Sequence, residues 1–148
     1  MGTTLSLRFG VATIAAIIAL LSLPASASPM TCAGPDPAVV AVNVARMQSD
    51  GKLNRYTLKA KIVNLGQVSQ ASNTLQFVDI YKGSTKLDSR GIPPLRAGQT
   101  FTFSYISMRS AQAGSKTTVL SFRMDERRPS LAGAQDCNTG NGITIVRF

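Results

Sequence analysis

The chain has 148 residues, with 16 Lys and Arg set against 7 Asp and Glu, and it contains no histidine. Ser-His-Asp and Cys-His catalysis are therefore excluded. With two cysteines and no CxxC pair, zinc has too few soft ligands. The formal charge of +9 favours anionic partners such as phospholipid headgroups, acidic polysaccharide or nucleic acid.

Residues 1–27 read as a secretory signal peptide. Arg8 is followed by an uncharged apolar run from Phe9 to Leu23, then Pro24 and the small residues Ala25-Ser26-Ala27, which suit cleavage after Ala27. The run is shorter than the about 20 residues of a membrane span, so no integral membrane segment is expected after cleavage. Met1-Gly2 with Ser6 matches a myristoylation pattern by chance, because an export signal lies directly behind it. Pro29-Met30-Thr31 before Cys32 make a poor lipobox. About 121 residues remain, enough for one domain with its own core. They comprise a lead, residues 28–37, and a domain, residues 38–148. Two cysteines in an exported chain predict one disulfide, Cys32–Cys137. It would close a loop of about 105 residues, which in the chain-entropy model contributes up to ~4.7 kcal/mol.

The domain reads as short strands separated by turns, without a helical period. The first strand spans about Ala38 to Met47, with Val40, Val42 and Val44 alternating. Ser49-Asp50-Gly51-Lys52 is a turn. In the second strand, Arg55 to Asn64, Tyr56, Leu58, Ala60 and Ile62 face one way and Thr57, Lys59 and Lys61 the other. The third runs from Leu75 to Tyr81, with Val78 and Ile80 in the core, and Lys82-Gly83-Ser84 turns the chain. A short edge strand covers Lys86 to Arg90, and Pro93-Pro94 excludes a central strand after it. Phe101, Phe103 and Tyr105 alternate along the fifth strand, and Leu120, Phe122 and Met124 along a sixth from Thr117 to Asp125. A polar segment, Glu126 to Gly142, leads to the last strand, Ile143 to Phe148. Seven such strands predict an all-β, immunoglobulin-like sandwich of two antiparallel sheets. The terminal Phe148 is also common in outer-membrane barrel strands, but these strands are shorter than the about 10 residues a barrel needs.

From Pro35 onward the chain resembles the CARDB domain, the cell adhesion related domain found in bacteria. The matching pieces are Pro35-Asp36, Ile62-Val63-Asn64-Leu65-Gly66 against a "V-x-N-x-G" pattern, Val78 to Gly83, Pro94-Leu95-Arg96-Ala97-Gly98-Gln99, Asp125, and Asn138-Thr139-Gly140-Asn141. The resemblance covers about 110 residues and implies an immunoglobulin-like, non-enzymatic module of exported bacterial proteins. The family's loop before the last strand is often acidic. Here Glu126-Arg127-Arg128-Pro129 stands in its place, so a metal-binding loop is not carried over.

No catalytic residue and no cofactor is expected. Of the carboxylates, most fall in apparent turns, and Asp79 is expected at the surface. Lys59 and Lys61, with Lys86 and Arg90 if Leu87 points inward, are expected on one exposed sheet face with Thr102 and Ser104 between them. Arg127 and Arg128 in the long loop are a second candidate anion contact. The aromatics lie on core faces and do not interleave with the basic residues, which argues against nucleic acid. The leading expectation is a non-catalytic binding or structural module, periplasmic or secreted, whose partner is an envelope protein or acidic polysaccharide. The alternatives are a binder of acidic glycan or anionic lipid through the basic face and, less favoured, a small hydrolase.

Overall fold

The computed structural model describes residues 33–113, 116–128 and 136–148, with the side chains of Arg127 and Arg128 excepted. Residues 1–27, read above as a signal peptide, and residues 28–32 of the lead, Cys32 among them, fall outside the described residues. Among the described residues seven strands form: β1 (Pro37–Ser49), β2 (Leu53–Asn64), β3 (Leu75–Lys82), β4 (Thr85–Ile92), β5 (Thr100–Ser110), β6 (Val119–Arg128) and β7 (Ile143–Arg147). They build two antiparallel sheets, ordered β1-β2-β5 and β4-β3-β6-β7. The two sheets do not close on each other, so the architecture is an all-β sandwich and not a barrel.

The core forms where the two inner faces meet. Tyr56, Leu58, Ala60 and Ile62 of β2 pack against Val78 and Ile80 of β3 and against Leu120 and Phe122 of β6. Phe122 sits at the centre, edge-on to Tyr105 and tilted against Phe103. Burying each such side chain contributes roughly 1.5–3 kcal/mol. Phe101, Phe103, Tyr105 and Met124 are only half-buried against this core. For the three aromatics the reason is that β5 is an edge strand.

β1 departs from the simple alternation expected of it. Its pairing with β2 slips between Val39 and Ala41 and again between Val44 and Arg46. Each slip inserts an extra residue, which inverts the facing of the residues beyond it. Val39 and Val42 are consequently the buried pair and Val40, the inserted residue, is exposed, while Val44 lies opposite Leu58 on the inner side and is exposed at the sheet edge.

The turns explain the sheet order. Lys82 pairs with Thr85 across Gly83-Ser84, and Gly83 has φ +60°. A two-residue turn with glycine first, in the left-handed region, joins strands that must be neighbours in one sheet. β4 therefore lies beside β3.

The end of β2 is locked by a buried polar knot. Asn64 is fully buried, and its Oδ1 accepts from the backbone N–H groups of Asp36 and Gly66 at 2.9 and 3.1 Å. Its Nδ2 donates to the carbonyls of Val68 and Leu95 at 2.9 and 3.0 Å. Four loop positions are thereby tied to one amide, and no polar atom of that side chain is left unsatisfied. Gly66 is needed beside it, because a Cβ there would stand 2.0 Å from the Gly34 carbonyl oxygen. A second knot joins Gln70 and Gln76, whose amides exchange two bonds of 2.7 Å. Gln70 Oε1 also accepts from Leu95 N, so the proline segment is held against the core.

Candidate functional site

The outer face of the β1-β2-β5 sheet is built by register. Along β2 the side chains of Leu53, Arg55, Thr57, Lys59, Lys61 and Val63 alternate with the buried set. Lys59 lies between Asn43 of β1 and Ser104 of β5, and Lys61 between Ala41 and Thr102. Thr102 and Ser104 thus flank the lysines on the edge strand, and not between them and Lys86 and Arg90. Arg55 joins them on the same strand. Arg46 of β1 lies opposite Thr57, on the same face. None of the outward positions of the three strands is Asp or Glu. Arg46, Arg55, Lys59 and Lys61 are in no ion pair with a described residue.

Lys86 and Arg90 do not belong to this face. They lie on β4, in the opposite sheet, because the Gly83-Ser84 turn commits β4 to β3. They also do not share a face with each other. The β3–β4 register shifts between Ile80 and Tyr81, so that Lys86 is opposite Tyr81 and Arg90 opposite Val78. Leu87, expected to point inward, is the inserted residue and is exposed. Both cations are also paired. Arg90 Nε donates to Asp88 at 2.8 Å, and Lys86 Nζ is bonded to the Asp79 carboxylate. The Arg90–Asp88 pair sits near Tyr105, whose phenol is pushed up by burial and by Asp88 and is pulled back by Arg90.

Asp79 corrects another expectation. It is on the outer side of β3, between Ser89 of β4 and Arg123 of β6, yet it is only 3% exposed. Its carboxylate accepts from Ser89 Oγ at 2.5 Å and from Lys86. Beside it, the Arg123 guanidinium lies 4.6 Å from the Tyr81 ring centroid, within the range of a cation–π contact. Asp79 is thus a buried counter-charge in an interlocked surface and not a solvated side chain.

Arg127 and Arg128 are the last residues of β6, with Arg128 paired to Leu75, and not part of the loop expected there. Their side chains lie outside the described residues. Asp36 is also not a solvated turn residue. It is buried, and its Oδ1 accepts from Asn141 Nδ2 at 2.8 Å, so the asparagine stretch before β7 reaches back to the start of the domain.

Cys137 lies at the same corner. Its N–H donates to the Pro35 carbonyl at 3.0 Å, and its Sγ stands 3.1 Å from that oxygen. No described cysteine is a free thiol. β1 and β7 run side by side there, linked by the Thr144 hydroxyl, which donates to the Val39 carbonyl.

A hollow of about 340 Å³ opens at the end of β6, lined by Arg123, Met124, Asp125, Glu126, Asp136 and Ile143 among others. Burial raises the Glu126 pKa; the Asp136 backbone N–H opposes the rise, the Asp136 charge adds to it, and Gln70 Nε2, which donates to Glu126 at 3.1 Å, opposes it. Burial also raises Asp136, with Asp36 nearby. Among the described residues no group of three or more His, Cys, Asp or Glu is placed to hold a metal ion, and no helix is long and apolar enough to cross a membrane.

Arg46 and Arg55 are not among the residues that the sequence singles out. Arg55 is legible there, since it shares the parity of Lys59 and Lys61. Arg46 is not. It shares the parity of Val42, and only the slip after Val44 turns it outward.

Among known proteins, no family model matches the chain, and no curated protein or solved structure matches it either.

Proposed function

We propose that this protein is an exported, non-catalytic binding or structural module, related to the adhesion domains its motifs resemble, that engages an anionic partner. In this reading residues 1–27 direct export to the periplasm or exterior of a bacterium. Cys32 and Cys137 pair there and fasten the lead to the segment before β7. The position of Cys137 against Pro35, only three residues beyond Cys32, supports that pairing. The Asn64 and Gly66 contacts supply a physical reason for the "V-x-N-x-G" pattern on which the resemblance rests.

The observation that carries the reading is the outer face of the β1-β2-β5 sheet. It presents Arg46, Arg55, Lys59 and Lys61 with no carboxylate among its outward positions. A cationic face whose strand positions carry no carboxylate holds a positive potential that attracts polyanions. The test is retention on a dextran sulfate resin across a salt gradient. The wild-type protein is expected to elute late, and Lys59→Glu/Lys61→Glu early. Equal elution of the two would defeat the reading. Mass spectrometry of the exported protein tests the bridge, and two free thiols would sink it.

A further inference from the structure

The cationic face has a second feature at the hairpin end. Leu53, Ile106 and Met108 are 44%, 42% and 60% exposed, and all three project from this face. Met108 lies directly opposite Arg55, and Ile106 opposite Thr57. Leu53, Arg55 and Met108 line one shallow hollow, together with Gln48, Ser49 and Asp50. Three large apolar side chains are therefore set among four cations on one side of the molecule.

An acidic polysaccharide would use only half of this surface. It would satisfy the cations, but it would leave the aliphatic side chains against water, and the outward positions carry no aromatic ring on which a sugar could stack. An anionic bilayer matches both halves. Its headgroups meet Lys and Arg, and its interfacial layer accepts apolar side chains, the combination by which peripheral proteins bind lipid. A strand rises about 3.3 Å per residue, so Leu53 and Lys61 are roughly 26 Å apart along β2. The apolar cluster and the lysines therefore share one face within the length of a single strand.

Resting on the reading above, we propose that the outer face of the β1-β2-β5 sheet docks on an anionic lipid bilayer, with Leu53, Ile106 and Met108 entering the interface and Arg46, Arg55, Lys59 and Lys61 contacting the headgroups. Asp50, whose Oδ1 accepts from the N–H groups of Lys52 and Leu53 at 2.8 and 2.6 Å, is the carboxylate nearest this end. Its charge is held by the backbone of the hairpin itself.

The experiment is co-sedimentation of the purified protein with vesicles of phosphatidylglycerol and phosphatidylcholine, or of phosphatidylcholine alone, run beside retention on dextran sulfate beads. Binding is expected to the anionic vesicles and at least tenfold less to the zwitterionic ones. Ile106→Ser/Met108→Ser, checked for folding by circular dichroism, is expected to weaken vesicle binding about tenfold more than bead retention. Lys59→Glu/Lys61→Glu is expected to weaken both. Bead retention without vesicle binding would overturn the lipid proposal and leave the anion-binding reading standing, with an acidic polysaccharide as the partner. Vesicle binding that falls no more than bead retention in the serine variant would also overturn it. Absence of both in the wild-type protein would overturn the proposal and the reading together.

Discussion

The two outer faces of the sandwich carry the same kinds of residue and do opposite things with them. On the β4-β3-β6-β7 sheet, Lys86 is tied to Asp79, and Arg123 lies over Tyr81. On the β1-β2-β5 sheet, Lys59, Lys61, Arg46 and Arg55 have no acidic neighbour among the outward positions of their face. What separates the two is the carboxylates of the second face, above all Asp79 at the middle of β3. A buried Asp79 turns nearby cations into part of the fold, and the lack of such a carboxylate on β2 leaves cations available to a ligand.

The largest expected effect tests that division directly. Lys59→Glu/Lys61→Glu should weaken polyanion retention at least ~30-fold, since each cation near an anionic surface contributes roughly 1 kcal/mol. Thermal stability should change little, as is usual for exposed sites. Lys86→Glu should do the reverse, with retention changed less than about threefold and stability lowered. If the Lys86 variant loses as much retention as the lysine pair, the two faces are not functionally distinct.

Asp79→Ala should destabilise the protein by about 1–3 kcal/mol in urea unfolding, because Lys86 and Ser89 lose a buried acceptor. The same variant removes the counter-charge from its face, so it should elute later from a polyanion resin. Unchanged stability would mean that Asp79 is dispensable to the packing.

A smaller effect is expected at the end of β6. The Glu126 pKa is raised by burial, so the folded state holds the proton more tightly than the unfolded chain. This contribution to stability is complete below the ordinary glutamate value of about 4.3. It is lost as pH rises through the raised folded value. Glu126→Gln should therefore stabilise the protein near neutral pH, by about 0.5 kcal/mol given solvent screening at this half-exposed site. The gain should vanish below about pH 4. A pH series of urea melts checks this, and a gain that persists at low pH would contradict it.

Asp50 should show the smallest and opposite behaviour. The N–H groups of Leu53 and Lys52 lower its pKa. Its contribution is therefore present above the unfolded value and lost as pH falls through the lower folded one. A carboxyl resonance titrating below the ordinary aspartate value would bear this out, and one titrating at or above it would not.

Much of the fold was legible because it depends on period and turn chemistry. The alternation of Tyr56, Leu58, Ala60 and Ile62 against Lys59 and Lys61 can be satisfied only by a strand with one face buried. Asn64-Leu65-Gly66 marked the end of β2, although nothing in those letters says that Asn64 would bind four loop positions. The candidate face was half legible. Lys59, Lys61 and the unselected Arg55 share one strand, so their parity holds without reference to any neighbour.

Parity failed wherever a bulge intervened. By spacing alone Lys86 and Arg90 share a face, and Arg46 sits with Val42. One inserted residue in β4 and one in β1 reverse both statements, and a bulge is a property of two paired strands that neither strand records alone.

The amino-acid sequence by itself determined the all-β class, the strand positions, the inward set of β2 and the basic character of its other side. These arise from local sterics and from the two-residue period. Only the tertiary structure decided the bulge that separates Lys86 from Arg90, that Asp79 is buried on an outer face, and that Arg46 completes a cationic surface beside Leu53, Ile106 and Met108. Each of those depends on pairing between strands, where register and burial are set jointly by both partners.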